Sequence, residues 1–368
     1  MNKVCFLNSI SFWGGGEKLH LEYAIAFTKK KYNVIIASNK KAEITKRAKE
    51  SDIAVFGISV TNRSFLNPFK IAKLVRFFKQ NAIDTVIFST SQDLKLGGIA
   101  AKIAKVQRIV YLRGLAVPIK NSFINRYFLH TVLTHIVANS EETKRKILQN
   151  IPILDLNEKI RVIYHGIEIP ELGIQQPLFV KEIQDKKHGI VLGNAGRLTE
   201  QKGQQHLIEI AKQLRDNAID FTLFIAGEGE MHLDLQKAIE ANNLQKHVYL
   251  LGFVKEMDCF MHSIDIFLLT SLWEGFGYVL VEAMIQSKPV VAFNVSSNGE
   301  IVTNNKTGFL IDTIDIPLFA TKVQTLIIDI NLRNELGKNG KNSVLKRFSL
   351  YDRITEFENH LLMDNKRK

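Results

Sequence analysis

The amino-acid sequence predicts an α/β protein made of two domains, each a doubly wound parallel sheet. Two patterns indicate this fold class: short apolar runs alternate with segments of helical periodicity, and most of the runs show no alternation of polar and apolar residues. Strands of that kind are typical of a parallel sheet that helices cover on both faces. The length of 368 residues indicates two domains, because a single core rarely grows that large.

Six runs in the first half have strand character, and together they predict a first domain over 1–170. In chain order they read KVCFLNS, NVIIAS, IAVFGI, TVIFST, RIVYLR and HIVANS, with amphipathic segments between them. The segment 67–80 is a predicted helix, in which Phe69, Leu74, Phe77 and Phe78 recur at roughly helical spacing and are expected on its apolar face.

The second half repeats this order and predicts a second domain over 171–348. Its strands read GIVLGNAG, FTLFIAG, HVYLLG, DIFLLT, PVVAFN and GFLI. Residues 170–188, which contain two prolines and show no period, are the best linker candidate, and 349–368 is a predicted amphipathic helix with a basic tail. Two Rossmann-like domains in one chain predict that their sheets face a ligand cleft.

The composition excludes several classes of protein. With 46% apolar and 23% charged residues, the chain is expected to fold. No uncharged apolar stretch reaches about 18 residues, so no membrane-spanning helix is expected, and the first residues make a poor signal peptide. Two cysteines, Cys5 and Cys259, cannot form a disulfide framework, which favours a reducing, cytoplasmic setting.

The positive charge is concentrated in the first half. Residues 1–170 hold 27 Lys and Arg against 12 Asp and Glu, whereas the remaining residues hold 22 against 25. This asymmetry favours an anionic partner such as a membrane surface or a phosphorylated substrate, although solvation of helices by lysine is an equal alternative. Nucleic acid is disfavoured, because no surface of interleaved aromatic and basic residues is evident.

A predicted anion site follows the first strand of the second domain, in NAGRLTEQKGQQHLIEIA. Arg197 and Lys202 lie in a glycine-bearing turn before a helix that is expected to begin near Gly203. Two cations beside a helix N-terminus favour a phosphate or a diphosphate. The alternative is a surface turn with solvated charges.

Two glutamates flank a Gly-Phe-Gly turn in SLWEGFGYVLVEAM, residues 271–284. Glu274 is expected in the loop at the carboxyl end of a strand, and Glu282 lies eight residues further on, about two helical turns, in a helix that starts around Gly277. A buried glutamate needs hydrogen-bonding partners, which the hydroxyls of a sugar or a ribose would supply. The alternative is that Glu274 caps the helix and Glu282 belongs to an ion pair.

Three glycines precede the first predicted helix, in SFWGGGEKLHLEYA. Gly15 and Gly16 resemble a loop along which a phosphate approaches the backbone, but the spacing is not G-x-G-x-x-G and NVIIASNKK has no acidic residue after the second strand. A dinucleotide site is therefore disfavoured, and a flexible turn is an equal alternative. The histidines lack metal-ligand spacing.

Together these motifs resemble the retaining GT-B glycosyltransferases of glycosyltransferase family 4. The likeness is carried by Gly196-Arg197-Leu198 with Lys202-Gly203, by Glu274-Gly275-Phe276-Gly277 with Glu282-Ala283, and more loosely by the Gly-Gly-Glu of residues 15–17. It implies a glycosyltransferase (EC 2.4) that moves a sugar from a nucleotide-diphosphate sugar, with UDP favoured over GDP, to a glycan or lipid-linked acceptor. The product would belong to cell-surface polysaccharide or lipopolysaccharide, and neither a metal nor a cofactor besides the nucleotide sugar would be needed.

The resemblance also implies roles for individual residues. Arg197 and Lys202 would stabilise the departing diphosphate and Glu274 would bind hydroxyls of the transferred sugar, so these three are the predicted catalytic residues. The other predicted donor contacts are Gly15, Gly16, Gly196, Phe276, Gly277 and, at the ribose, Glu282. The predicted acceptor-side residues are Glu17, Lys18 and Arg113, the last at a position where similar enzymes often carry a histidine. The resemblance also implies that the first domain binds the acceptor, that the second binds the donor, and that the last helix, 349–368, returns to the first domain.

Two other functions remain open. One is a nucleotide-sugar epimerase or phosphorylase of the same architecture, and the other is a non-catalytic sugar- or lipid-binding subunit, which would be expected to lack Arg197 and Lys202. The basic first half favours an enzyme that rests on anionic lipid at the inner face of the cell membrane.

Overall fold

The computed structural model describes residues 3–151, 156–169, 180–312 and 314–363. The chain divides into a first unit of Met1–Gly166 with Leu350–Lys368, and a second unit of Ile167–Ser349. Each unit contains a parallel sheet with helices, so the predicted fold class is confirmed. Of the predicted linker, residues 170–179 lie outside the described residues.

The first unit alternates strands and helices along most of its length. Its strands are β1 Lys3–Leu7, β2 Asn33–Ser38, β3 Ala54–Gly57, β4 Thr85–Phe88, β5 Arg108–Arg113, β6 His135–Ala138 and β7 Ile160–Val162. Its helices are α1 Gly15–Lys29, α2 Glu43–Glu50, α3 Pro68–Gln80, α4 Ser91–Ala104, α5 Phe123–Arg126, α6 Glu141–Leu148 and α7 Leu156–Lys159, with a 3₁₀ turn at Ser64–Leu66 and a π-helical turn at Tyr127–Val132.

The sheet of the first unit has the order β3-β2-β1-β4-β5-β6-β7, and each strand pair is parallel. Both faces of its central strand are buried: Cys5 and Leu7 pack into one apolar layer with α3 and α4, and Val4 and Phe6 into another with α1. Because neither face meets water, the strand carries no alternating pattern, which is the feature from which the parallel sheet was predicted.

The last helix of the chain, α16 Leu350–Met363, packs on the first unit. The ring of Phe357 lies 5.4 Å from that of Tyr23 in α1, and both side chains are fully buried. The Arg108 Nε–H donates to the carbonyl oxygen of Leu361 over 2.9 Å, which joins the helix to the start of β5.

The second unit has the same construction. Its strands are β8 Ile190–Ala195, β9 Phe221–Ala226, β10 Val248–Gly252, β11 Ile266–Leu269, β12 Val290–Phe293 and β13 Gly308–Ile311, in the parallel order β10-β9-β8-β11-β12-β13. Its helices are α8 Lys181–Lys186, α9 Gln205–Asp216, α10 His232–Ala241, α11 Met257–Ser263, α12 Tyr278–Ile285, α13 Asn298–Ile301, α14 Ile316–Ile328 and α15 Ile330–Arg347, with a 3₁₀ turn at Glu200–Lys202.

Two details differ from the sequence-based prediction. Strand β7 was not predicted, because it has only three residues and its central Arg161 is exposed, so it makes no apolar run. The placement of Phe69 on the apolar face of α3 was wrong: Phe69 is 84% exposed, whereas Leu74 and Phe78 are buried. Five residues separate Phe69 from Leu74, which turns the side chain about 140° away from the buried face.

No helix within the described ranges is both long enough and apolar enough to cross a membrane.

Candidate active site

The predicted anion site and the predicted glutamate loop meet at one edge of the second sheet. The strand order reverses between β8 and β11, which are hydrogen-bonded neighbours. Residues 196–204 follow β8 and residues 270–277 follow β11, so both loops leave the carboxyl ends of adjacent strands. Ligands of doubly wound sheets bind at such a reversal point, because the two loops diverge there and leave a crevice.

Gly203 allows the two loops to touch. Its φ of 60° lies in the left-handed region, and a Cβ there would lie 2.3 Å from the carbonyl oxygen of Thr270. Any side chain would therefore push the loops apart. The contact continues through two hydrogen bonds: the Leu272 N–H donates to the Gln201 carbonyl over 2.8 Å, and the Gln201 side-chain amide donates to the Trp273 carbonyl over 2.9 Å.

Lys202 and Glu274 form an ion pair across this junction. The Lys202 Nζ lies 2.6 Å from the Glu274 Oε1, and the Ser271 hydroxyl donates to the same oxygen over 2.6 Å. The Glu274 side chain is only 7% exposed and that of Lys202 18%, so the pair is largely removed from water. A buried carboxylate is stable only when it is paired and hydrogen-bonded, as this one is.

The alternative role of Glu274 as a helix cap does not hold. Helix α12 begins at Tyr278, and its N-cap residue is Gly277, which has no side chain that could accept a capping hydrogen bond. Glu274 is instead bonded to Lys202, so two of the three predicted catalytic side chains form one hydrogen-bonded unit.

Arg197, the other predicted catalytic cation, occupies a different environment. Its side chain is exposed, while its backbone is fixed: its carbonyl accepts from the Gln204 side-chain amide over 2.9 Å, and the next N–H, that of Leu198, donates to Glu228 over 2.9 Å. The preceding Gly196 donates its N–H to the carbonyl of Ala226 at the end of β9. The loop thus presents a half-buried cation, Lys202, and an exposed cation, Arg197.

The start of α12 forms the remaining part of this edge. Gly277 has a φ of 74°, and a Cβ there would lie 2.9 Å from the Asn298 Oδ1, so the position favours glycine. Phe276 is 3% exposed and its ring packs 5.6 Å from that of Phe348, so its side chain belongs to the packing beneath this edge. The helix dipole places partial positive charge at this point. Glu282 lies within α12 and is 8% exposed.

The glycine loop of the first unit precedes α1. A Cβ added to Gly15 or Gly16 would meet no atom within 4 Å, so packing does not require glycine there. Glu17 is buried and accepts from the Asn8 side-chain amide over 3.4 Å, and Lys18 lies 3.9 Å from Glu22 one turn along the helix. The contacts predicted for these residues with donor and acceptor stay predictions.

Asp93 is a buried group that the sequence did not single out. It lies in the first turn of α4, beside the reversal point between β1 and β4, and is fully buried. Its Oδ2 accepts from the Ser9 N–H over 3.1 Å and from the Thr90 hydroxyl over 2.7 Å, while its Oδ1 has no hydrogen-bond partner in the described ranges. Burial, opposed by these bonds and aided by the charge of Glu17, raises the pKa of Asp93 to about 6. The signal was present in TSQD, where Thr90 caps the helix three residues earlier.

Arg113 ends β5 and is held by two hydrogen bonds. Its Nη1 donates to the Tyr111 hydroxyl over 2.9 Å and its Nη2 to the Val117 carbonyl over 3.0 Å.

His20 is fully buried against Phe6, and burial lowers its pKa to about 3, so it is a neutral core residue. Across the described residues, no group of three or more His, Cys, Asp or Glu side chains is placed to hold a metal ion.

Two family models match the chain. The model described as Glycosyl transferases group 1 matches residues 176–343, and Glycosyltransferase Family 4 matches residues 13–170. The uncharacterized glycosyltransferase MJ1178 of Methanocaldococcus jannaschii is 31% identical over 264 residues, which are 69% of this chain and 68% of the relative.

Two further relatives carry more specific names. UDP-Gal:alpha-D-GlcNAc-diphosphoundecaprenol alpha-1,3-galactosyltransferase of Escherichia coli is 24% identical over 97% of this chain and 95% of its own length. The capsular polysaccharide biosynthesis glycosyltransferase CapM of Staphylococcus aureus is 27% identical over 81% of this chain and 82% of its own length.

A solved structure shows the same fold. Anabaena HepE in complex with UDP and glucose matches with a TM-score of 0.83 and 22% identity, over 98% of this chain and 99% of that chain. At this level of identity the likeness concerns the fold, which is that of the GT-B enzymes.

Proposed function

The chain belongs to the group 1 and family 4 glycosyltransferases, and we propose that it transfers a sugar from a nucleotide-diphosphate sugar with retention of configuration. The donor is a UDP-sugar in preference to a GDP-sugar, and the acceptor is a glycan or a lipid-linked glycan of cell-surface polysaccharide or lipopolysaccharide. The names of the Escherichia coli and Staphylococcus aureus relatives and the UDP in HepE support this choice of substrates.

The observation that carries the proposal is the buried pair of Lys202 and Glu274 at the reversal point of the second sheet. Breaking the bond between sugar and diphosphate places negative charge on the leaving group. A cation that is already fixed and partly dehydrated stabilises that charge without reorganising. Lys202 meets this condition because Glu274 and Ser271 hold the ammonium group and its partner in place.

The other groups at this edge complete a site for the donor. Arg197, exposed beside Lys202, neutralises the outer charge of the diphosphate, and the start of α12 at Gly277 adds its dipole. The Glu274 carboxylate has acceptor positions besides the one bonded to Lys202, and these accept hydrogen bonds from hydroxyls of the transferred sugar. Glu282 accepts hydrogen bonds from the ribose hydroxyls. Gly196 and the backbone of Phe276 lie against the phosphates.

The acceptor oxygen attacks the anomeric carbon from the face that the diphosphate leaves. The new carbon–oxygen bond forms as the bond to the diphosphate breaks, and the acceptor's proton passes to a phosphate oxygen of the leaving group. In this step Glu274 and Glu282 bind substrate hydroxyls, and neither acts as the acid or the base of a glycosidase pair. The step, as proposed, uses side-chain cations where other enzymes use a metal ion.

We propose further that the enzyme works at the cytoplasmic face of the membrane, which it contacts through α3 and the turn before it. Leu66 and Phe69 are 69% and 84% exposed, and α3 carries four Lys and Arg and no acidic residue. Exposed apolar side chains among cations favour an anionic bilayer surface.

Sedimentation with vesicles of phosphatidylcholine and phosphatidylglycerol tests this contact. The double variant Leu66→Ser and Phe69→Ser is expected to lose at least tenfold in vesicle affinity, because burying each side chain is worth about 1.5–3 kcal/mol. Leu233→Ser, which changes a side chain in the second unit that is 70% exposed, serves as the control. Equal loss in the control, or no binding by the wild type at low salt, contradicts the contact.

The donor is tested by thermal unfolding in the presence of UDP, GDP and ADP, followed by product analysis with the corresponding sugar nucleotides. UDP is expected to stabilise the protein most, by about 2.7 kcal/mol at one hundred times its Kd. A UDP-sugar should then yield a new glycoside only when an acceptor is present. Isomerisation of the donor alone would indicate an epimerase, a requirement for inorganic phosphate a phosphorylase, and binding without turnover a non-catalytic subunit.

A further inference from the structure

The first unit contains a basic cavity that the donor site does not use. It has a volume of about 180 Å³ and lies between α4, the end of β5 and the segment 119–129. Three cations line it, namely Lys95, Arg113 and Lys120, together with the polar side chains of Tyr111 and Asn125. The residues that line it include no carboxylate.

The cations of this cavity are not neutralised by their surroundings. None of the three forms an ion pair with a carboxylate in the described part of the chain. The segment 60–134 holds 12 Lys and Arg and only two acidic residues, Asp84 and Asp93. Asp84 lies at the other end of the strands, where it forms an ion pair with Arg108 and accepts a hydrogen bond from the Lys3 N–H. Asp93 accepts hydrogen bonds from Ser9 and Thr90.

Arg113 is already oriented for an anion. Its two bonds to Tyr111 and to the Val117 carbonyl fix the guanidinium, and Tyr111 is itself only 2% exposed. The buried Nε–H of Arg113 has no hydrogen-bond partner in the described ranges. A buried donor without a partner is unfavourable, and an oxygen atom of a ligand would satisfy it. A fixed guanidinium matches the geometry of phosphate oxygens.

The chain next to the cavity carries exposed apolar side chains. Five exposed apolar side chains lie in the chain segment that forms this wall of the cavity or just before it: Leu115 and Val117 precede it, and Phe123, Ile124 and Tyr127 lie within it, with exposed fractions of 47%, 39%, 78%, 43% and 40%. A hydrocarbon chain attached to the bound anion would cover this apolar surface and strengthen binding. A free anion would leave it in water.

We propose that this cavity binds the phosphate or diphosphate that joins the acceptor sugar to its lipid, with the lipid chain against these exposed apolar side chains. The proposal rests on the proposed function, because it names the chemical class of the acceptor. Arg113, a predicted acceptor-side residue, then recognises the phosphate of the acceptor and takes no part in the bond that breaks.

Farnesyl diphosphate tests the proposal as a soluble probe, with farnesol and inorganic pyrophosphate beside it. Binding is measured by calorimetry in saturating UDP, so that the diphosphate site of the second unit is occupied. Farnesyl diphosphate is expected to bind at least tenfold more tightly than pyrophosphate, and farnesol more weakly than either. Equal binding of pyrophosphate and farnesyl diphosphate would overturn the lipid part of the proposal.

Variants locate the binding. The double variant Lys95→Met and Lys120→Met, and the single variant Arg113→Met, are each expected to weaken binding at least tenfold. The control is Lys79→Met with Lys105→Met, which removes the same charge from exposed positions outside the cavity. Similar losses in the control, or no loss in the cavity variants, would overturn the proposal. Arg113→Lys, which keeps the charge, is expected to bind the probe more tightly than Arg113→Met, and equal binding by the two variants, both with the wild-type unfolding temperature, would overturn the role of the Arg113 charge.

This experiment is separable from the test of the function. It needs neither a sugar donor nor turnover, so an enzyme that fails to transfer sugar can still bind the probe. Transfer without probe binding would refute the cavity assignment alone.

Discussion

Replacing Lys202 by Met leaves the Glu274 carboxylate buried with Ser271 as its remaining partner. At the observed separation of 2.6 Å and an effective dielectric constant of about 20, the attraction within the pair is about 6 kcal/mol before desolvation. Desolvation of both groups opposes much of this, so the expected loss in the free energy of unfolding is about 3 kcal/mol. Glu274→Gln leaves the lysine without its partner and should cost somewhat less, because Lys202 is the more exposed of the two.

The two changes together should cost less than the sum of the single changes. A coupling free energy of about 2 kcal/mol is expected, since each single variant strands the other charge and the double variant strands neither. Urea unfolding of the four proteins measures it, with Lys212→Met, an exposed lysine of α9, as the control. Additive costs, with a coupling below about 0.5 kcal/mol, would refute the ion pair.

The same variants report on catalysis. Lys202→Met should reduce kcat by about 100- to 1,000-fold, the effect of losing one preorganised group that stabilises developing charge. The Lys212→Met control should retain its rate. If the Lys202→Met enzyme transfers sugar at the wild-type rate, the proposed role of the pair in leaving-group stabilisation is refuted.

Three further predictions concern the first unit. Gly16→Ala should unfold at the wild-type temperature or slightly above it, because a Cβ meets no atom within 4 Å, yet sugar transfer should fall at least tenfold because Gly16 is a predicted donor contact, and an unchanged rate would contradict that role. Asp93 has its pKa raised from 3.8 to about 6, so its protonated form stabilises the fold below about pH 4 and that contribution is lost as the pH rises through 6. Asp93→Asn should therefore gain stability relative to the wild type as the pH rises from about 4 to about 6, reaching about 3 kcal/mol and staying constant above that, and a difference that does not vary over this range in denaturant titrations would contradict the shift. Phe357→Ala removes a fully buried ring from α16 and should cost about 3–5 kcal/mol in the unfolding of the first unit, whereas an effect below about 1 kcal/mol would show that α16 does not pack there.

The fold followed from local patterns because both faces of each sheet are buried. The runs NVIIAS and RIVYLR are strands with the predicted bounds, Asn33–Ser38 and Arg108–Arg113. Strand β7 escaped prediction because its pairing with β6 comes from tertiary context and its own three residues include an exposed arginine. Phe69 shows the opposite error, in which an apolar residue was placed in a core from which helix geometry excludes it.

The sequence predicted which loops form the site, but it did not predict the contacts between their side chains. The sequence placed Lys202 and Glu274 in loops at the carboxyl ends of two strands, and these loops lie near each other because β8 and β11 are neighbours in the sheet. Their ion pair joins residues 72 positions apart and depends on the left-handed turn at Gly203, which no local pattern reports. Asp93 was missed for a related reason, since its burial against Ser9 arises only when β1 and β4 pair.

The anomeric configuration of the first glycoside formed from an α-linked UDP-sugar tests the central claim most directly. Proton NMR of the product, recorded before any equilibration, distinguishes the two anomers by the coupling of the anomeric proton. A retaining transfer at the Lys202 and Glu274 site predicts the α-glycoside. A β-glycoside would contradict the proposed mechanism, because it requires attack from the face opposite the departing diphosphate.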